Sequence, residues 1–116
     1  MTMILYGIPN CDTVKKARRW LDEQGVAYSF HDVRKDGLDA ERLQGWIAAL
    51  GWEKLLNKAG TTFRKLPDAQ KDGLDAASAK ALMLDQPAMI RRPVVDAAGA
   101  ISVGFSAADW QARFAA

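Results

Sequence analysis

The sequence predicts an α/β fold: a four-stranded mixed sheet flanked by helices, with a helical insertion between the second and third strands. Three observations lead there. The chain opens with strand, tight turn, helix and strand in some 30 residues, a right-handed βαβ unit with parallel strands. Residues from about 35 to 87 then carry helical patterns only. The chain closes with a hairpin and one more helix. With 116 residues, 49% hydrophobic and 26% charged, the chain is long enough for one domain, expected over residues 1–116, and too short for two of ordinary size.

The elements follow in order. Met3 to Tyr6 is a short apolar run that stops at Gly7 and Pro9, a strand entering a turn. Asn10 is placed to cap the next helix, in which Val14, Ala17 and Leu21 recur at helical spacing and Gly25 supplies the stop. Val26 to Val33 reads as the second strand, with Tyr28 and Phe30 on one side. Asp39 then caps a helix carrying Leu43, Trp46, Ile47 and Leu50, and Leu38 with Leu43 has the spacing of a hydrophobic staple. The hexapeptide Lys35-Asp36-Gly37-Leu38-Asp39-Ala40 returns as Lys71-Asp72-Gly73-Leu74-Asp75-Ala76, ahead of a helix over 76–84. Two copies read as reuse of a turn-plus-cap solution, not as a repeat fold. Between them the pattern predicts a helix over 52–57 and a turn at Gly60-Thr61-Thr62. Ile90 to Asp96 is the third strand, Asp96 to Gly99 a turn, and Ala100 to Val103 the fourth strand. Ser106 with Asp109 approaches a capping box, Phe105 with Trp110 a staple, and Ala107, Trp110 and Phe114 form one face of the last helix.

Composition excludes several functions. A single cysteine and a single histidine leave no internal disulfide and argue against a structural zinc site. The formal charge of +2, with signs mixed along the chain, gives no case for direct nucleic-acid binding. No apolar run approaches the length of a membrane span, and MTMILYGIPN does not resemble a signal peptide. A cytoplasmic location is expected.

Cys11 is the residue most suited to chemistry. It follows a strand and a turn and should stand in the first turn of a helix, where unpaired backbone N–H groups favour a thiolate. Asp12 opposes ionisation and Lys15 offsets part of that. His31, on or near the second strand, reads as a structural or surface residue, and the four tryptophans as packing. Lys15, Lys16, Arg18 and Arg19 read as a solvated helix face.

The opening Tyr6-Gly7-Ile8-Pro9-Asn10-Cys11-Asp12-Thr13-Val14-Lys15-Lys16-Ala17 resembles the thiol loop of the thioredoxin fold. With Gly60-Thr61-Thr62-Phe63-Arg64 and Met89-Ile90-Arg91-Arg92-Pro93-Val94, the chain over residues 3–115 resembles the glutathione- and glutaredoxin-linked arsenate reductase (ArsC) family. Within it the YffB subgroup is nearest, and the Spx transcriptional regulators are similar at greater distance. The resemblance implies a thioredoxin-like fold, a nucleophilic thiolate at Cys11, and Arg64 and Arg92 as holders of an oxyanion or carboxylate. It also implies a cis Pro93 facing the thiol, and Asn10 and Lys15 are expected beside the substrate. Three positions depart from the family pattern. Gly7 stands where arsenate reductases carry a histidine, Gly104-Phe105-Ser106 where they carry a further arginine, and Val14 where Spx carries its second cysteine.

The function implied is a glutathione-dependent thiol reductase or transferase. The Cys11 thiolate would attack an oxidised thiol or an oxyanion, and an external thiol would resolve the adduct. No bound cofactor is expected; glutathione is the co-substrate. The alternatives are an arsenate reductase using glutathione or glutaredoxin, and a Spx-like regulator that binds a protein partner without catalysis.

Overall fold

A computed structural model describes residues 2–114, so both ends of the domain expected over 1–116 lie outside the described residues. The first strand, β1 (Met3–Gly7), leads through a turn closed by the Cys11 N–H on the Ile8 carbonyl at 3.1 Å into α1 (Asp12–Glu23). Asn10 is therefore inside the turn and cannot cap the helix; Cys11, extended at φ −83° and ψ 126°, is the N-cap. That corrects both the expected cap and the expected placing of Cys11 one position further in.

The second strand, β2 (Ser29–Asp32), is shorter than expected. The cause lies at the end of α1. Gly25, at φ +68°, lets its own N–H reach the Asp22 carbonyl and the Val26 N–H reach the Leu21 carbonyl, the paired bonds of a Schellman motif. Val26 thus belongs to the helix end and not to the sheet.

The third strand also starts late. Pro93 has no N–H to give a ladder, and β3 runs Val94–Ala97, preceded by a cis Arg92–Pro93 bond. Its partner β4 (Ala100–Val103) follows a two-residue loop in which Ala98 and Gly99 have φ 53° and 94°, the left-handed pair of a type I′ hairpin. The sheet order is β2-β1-β3-β4, with β1 parallel to β2 and antiparallel to β3. The last helix, α7 (Ala107–Phe114), is held at its start by the Ser106 hydroxyl, which accepts from the Asp109 N–H at 3.3 Å.

These elements make one of two compact units, residues 2–36 with 92–114. Its core lies on one face of the sheet, where Met3, Leu5, Val95 and Ala97 meet Ala17 and Leu21 of α1 and Trp110 of α7. Tyr28, just before β2, and Phe30, within it, both border that core. Trp110 stacks edge-on against Phe105 at 4.8 Å, Phe114 at 5.5 Å and Trp20 at 5.8 Å, which fixes α7 at its first and last turns. Ala107, expected on the same face, is exposed.

The other unit, residues 37–91, is helical: α2 (Ala40–Leu50), α3 (Trp52–Leu55), α4 (Thr61–Arg64), α5 (Asp68–Lys71) and α6 (Ala76–Asp85), then a 3-10 turn at Pro87–Met89. Both hexapeptides fold alike. Gly37 and Gly73 take φ +85° and +64°, and Asp39 and Asp75 cap the following helices through the Arg42 and Ser78 N–H groups. The helix predicted over 52–57 ends early because Leu56 is extended and bridges Ile90. The turn expected at Gly60-Thr61-Thr62 is instead the start of α4, with Gly60 as N-cap. The insertion was expected to be helical over about 35–87, with the third strand beginning at Ile90; among the described residues Ile90 instead makes an isolated bridge to Leu56, ahead of β3.

Candidate active site

The geometry of a βαβ opening decides where Cys11 stands. The strand is extended, the 8–11 turn reverses the chain, and the thiol is left half-buried at the N-terminus of a 12-residue helix. The Cys11 side chain makes no capping hydrogen bond. Its anion is the favoured partner of that helix end. Burial pushes the Cys11 thiol up and is the largest single influence, but four others oppose it: the Val14 N–H, a hydrogen bond and the positive charge of Arg92, and the Thr13 N–H. Together they win, and the thiol lies below its ordinary range.

Arg92, two residues before β3, reaches the thiol and is half-buried. Pro93 is buried beside it, and its carbonyl accepts from the Gly104 N–H at 2.8 Å. Lys15 is exposed one turn into α1, and its backbone N–H donates to the Cys11 carbonyl at 2.9 Å. Asn10 is exposed on the turn and lines a cleft of about 420 Å³ with Ile8, Pro9, Asp32, Arg34 and Lys35. Arg64 belongs to the helical unit, where it ends α4, is exposed, and offers its carbonyl to Lys71 Nζ at 2.8 Å. In that unit Thr61, Thr62 and Lys65 help to line a cavity of about 380 Å³.

Sequence reasoning missed Arg34 and Lys35. Their signal was Asp32, two and three residues before them, whose carboxylate accepts both backbone N–H groups at 2.9 and 3.1 Å and fixes the turn that carries them. His31 stays on the sheet, its ring 5.0 Å from that of Tyr6 across the β1–β2 pair. Arg18 is not simply solvated: it donates to the Tyr28 hydroxyl at 3.1 Å and its guanidinium lies 4.2 Å from the Phe30 ring. Among the described residues no group of three or more His, Cys, Asp or Glu could hold a metal ion, and no helix is long and apolar enough to cross a membrane.

Comparison with known proteins decides the family. The ArsC family model matches residues 6–113, which includes the whole thiol loop, Arg92 and β3. The chain belongs to the ArsC family. Among solved structures, the YffB protein superposes with a TM-score of 0.94 at 55% identity, over 97% of this chain and 99% of that one. An uncharacterized protein of Haemophilus influenzae is 40% identical over 96% of this chain and 97% of its own. The global transcriptional regulator Spx of Streptococcus agalactiae is 28% identical over 88% of this chain and 75% of its own. The ArsC assignment carries the thioredoxin-like fold with it, in agreement with the mixed sheet and the helical insertion between β2 and β3.

Proposed function

We propose that this ArsC-family chain is a glutathione-dependent thiol reductase. The observation that carries the reading is the Cys11 thiol, held below its ordinary range by Arg92 and two helix N–H groups in a chain with no second cysteine. A lone activated thiolate attacks one sulfur of a mixed disulfide between a substrate thiol and glutathione. The substrate leaves as its thiolate, and Cys11 keeps the glutathionyl group. A second glutathione thiolate then attacks that bond, leaving as glutathione disulfide and returning Cys11 as thiolate. Arg92 steadies the anion on Cys11 at each end of the cycle. We extend an anion-holding role to Arg64 on the family resemblance alone. Glutathione as co-substrate argues for a reducing compartment, the cytosol, as the place of work.

Arsenate reduction is the weaker form of this reading, since Gly7 and Gly104-Phe105-Ser106 lack the histidine and the arginine of the reductases. Likeness to Spx supports a second reading, a protein-binding regulator, in which Val14 leaves no partner for a disulfide switch. Intact mass after exposure to glutathione disulfide separates the two. One glutathione adduct on the wild type, absent in Cys11→Ser and removed by added glutathione, is the expected result. An unmodified wild type would leave the regulator as the better account.

A further inference from the structure

Gly7, the last residue of β1, is buried, and a Cβ built on it would lie 2.8 Å from Val14 Cγ2 and 3.2 Å from Val14 Cγ1. The first distance is shorter than real Cβ contacts, so any side chain at position 7 must displace the valine. Val14 has nowhere easy to go: it is 0% exposed. It is also the third residue of α1, and its N–H is one of the two that favour the Cys11 thiolate. The Gly7 carbonyl is engaged as well, accepting the Val33 N–H at 3.0 Å, so the strand end cannot retreat to make room.

We propose that Gly7 and Val14 act as a pair of positioning residues, the valine methyls seated on the bare glycine so that the first turn of α1 holds its N–H groups on the Cys11 sulfur. Position 7 serves here as a packing contact, and the backbone does the holding. This rests on the reading of Cys11 as a nucleophilic thiolate and adds the device that sets it.

The test is the pH dependence of Cys11 alkylation by iodoacetamide, a neutral probe, read by intact mass in wild type, Gly7→Ala, Val14→Ala and the double variant. Gly7→Ala pushes the valine away, and Val14→Ala unseats the turn. Each should move the midpoint upward and slow alkylation on the acid side about three- to tenfold, as loss of a favourable contact with the anion requires. In the double variant the alanine Cβ occupies the space left by the methyls, and the midpoint should return towards wild type. A role in stability alone would lower the thermal transition without moving the midpoint. Should Gly7→Ala not fold, Val14→Ala against the double variant still decides. A low wild-type midpoint that neither single variant moves, or a double variant shifted by the sum of the two, overturns the pairing. An ordinary midpoint in the wild type overturns the nucleophile reading and the pairing with it.

Discussion

Replacing Arg92 with alanine removes one hydrogen bond and one full charge from the Cys11 sulfur. Two unit charges at about 4 Å interact by about 4 kcal/mol at an effective dielectric near 20 and by about 1 kcal/mol in bulk water. Cys11 is only half-buried, so solvent screening brings the value towards the lower limit, about 1–1.5 kcal/mol. As about 1.4 kcal/mol corresponds to one pH unit, the titration midpoint of the thiol should rise by about one unit. At neutral pH the thiolate fraction, and with it the alkylation rate, should fall about five- to tenfold. The assay is the iodoacetamide rate from acid to alkaline pH, with Arg92→Lys as an intermediate case that keeps charge and loses the planar fork. Arg19→Ala, an exposed position on α1, serves as the control. A folded Arg92→Ala protein with the wild-type midpoint would refute the idea that this arginine sets the thiol, leaving the helix end as the whole cause.

Four further outcomes are expected. Because the folded thiol ionises below its unfolded value of about 8.5, Cys11 contributes stability that is full above that value and is lost as pH falls through the folded one. The urea-unfolding gap between wild type and Cys11→Ser should therefore widen as pH rises towards about 9, and a gap that narrows contradicts it. Arg64→Ala should slow reaction with anionic glutathione disulfide more than with neutral iodoacetamide; equal slowing removes the anion-holding role proposed for it on the family resemblance. Trp110→Ala, which empties a site 1% exposed and breaks three edge-on ring contacts, should lose about 3–5 kcal/mol by urea unfolding, and a loss under about 1.5 kcal/mol would mean that α7 is not seated as described. Asp75 is held below its usual range by the Ser78 N–H and hydroxyl, so its cap is full above about 3.9 and fades as pH falls through the folded value. Amide exchange at Ser78 and Ala79 should rise in Asp75→Ala at neutral pH and converge with wild type in acid.

The sequence carried the fold where one local rule spoke alone. Val14, Ala17 and Leu21 gave the buried face of α1, and Asp39, Asp75 and Ser106 gave the caps of three helices. It was misleading where two elements competed for one residue. Val26 has strand character, but its N–H is taken by the Schellman bond to Leu21, and Leu56 has helix character but pairs with Ile90. Asn10 is the better capping residue by type, yet the 8–11 turn consumes it and leaves the cap to Cys11. α5 went unread although Leu66-Pro67-Asp68 marks a helix start. In the candidate site, Cys11 was legible from the strand-turn-helix pattern. The Gly7–Val14 contact was not, because a seven-residue separation across a turn has no period, and only the folded chain shows that the glycine leaves room for the valine.

The place of the helical insertion bears on how the chain assembles. The β1–β3 register pairs Met3 with Ala97, so the centre of the sheet closes across nearly the whole length of the chain. The two Asp caps of the insertion, by contrast, join residues three apart. Local contacts of that kind form within about a microsecond, whereas a long closure must first overcome the entropy of the intervening segment. The helices therefore have the cheaper contacts to form, and the pairing of β3 with β1 carries the larger closure cost. In a nascent chain the β1–α1–β2 segment waits, its central strand open on one side, until Val94 to Ala97 have left the ribosome. Until then Met3 and Leu5 lack Val95 and Ala97 beside them, and that interval is when the chain is most exposed to wrong pairing.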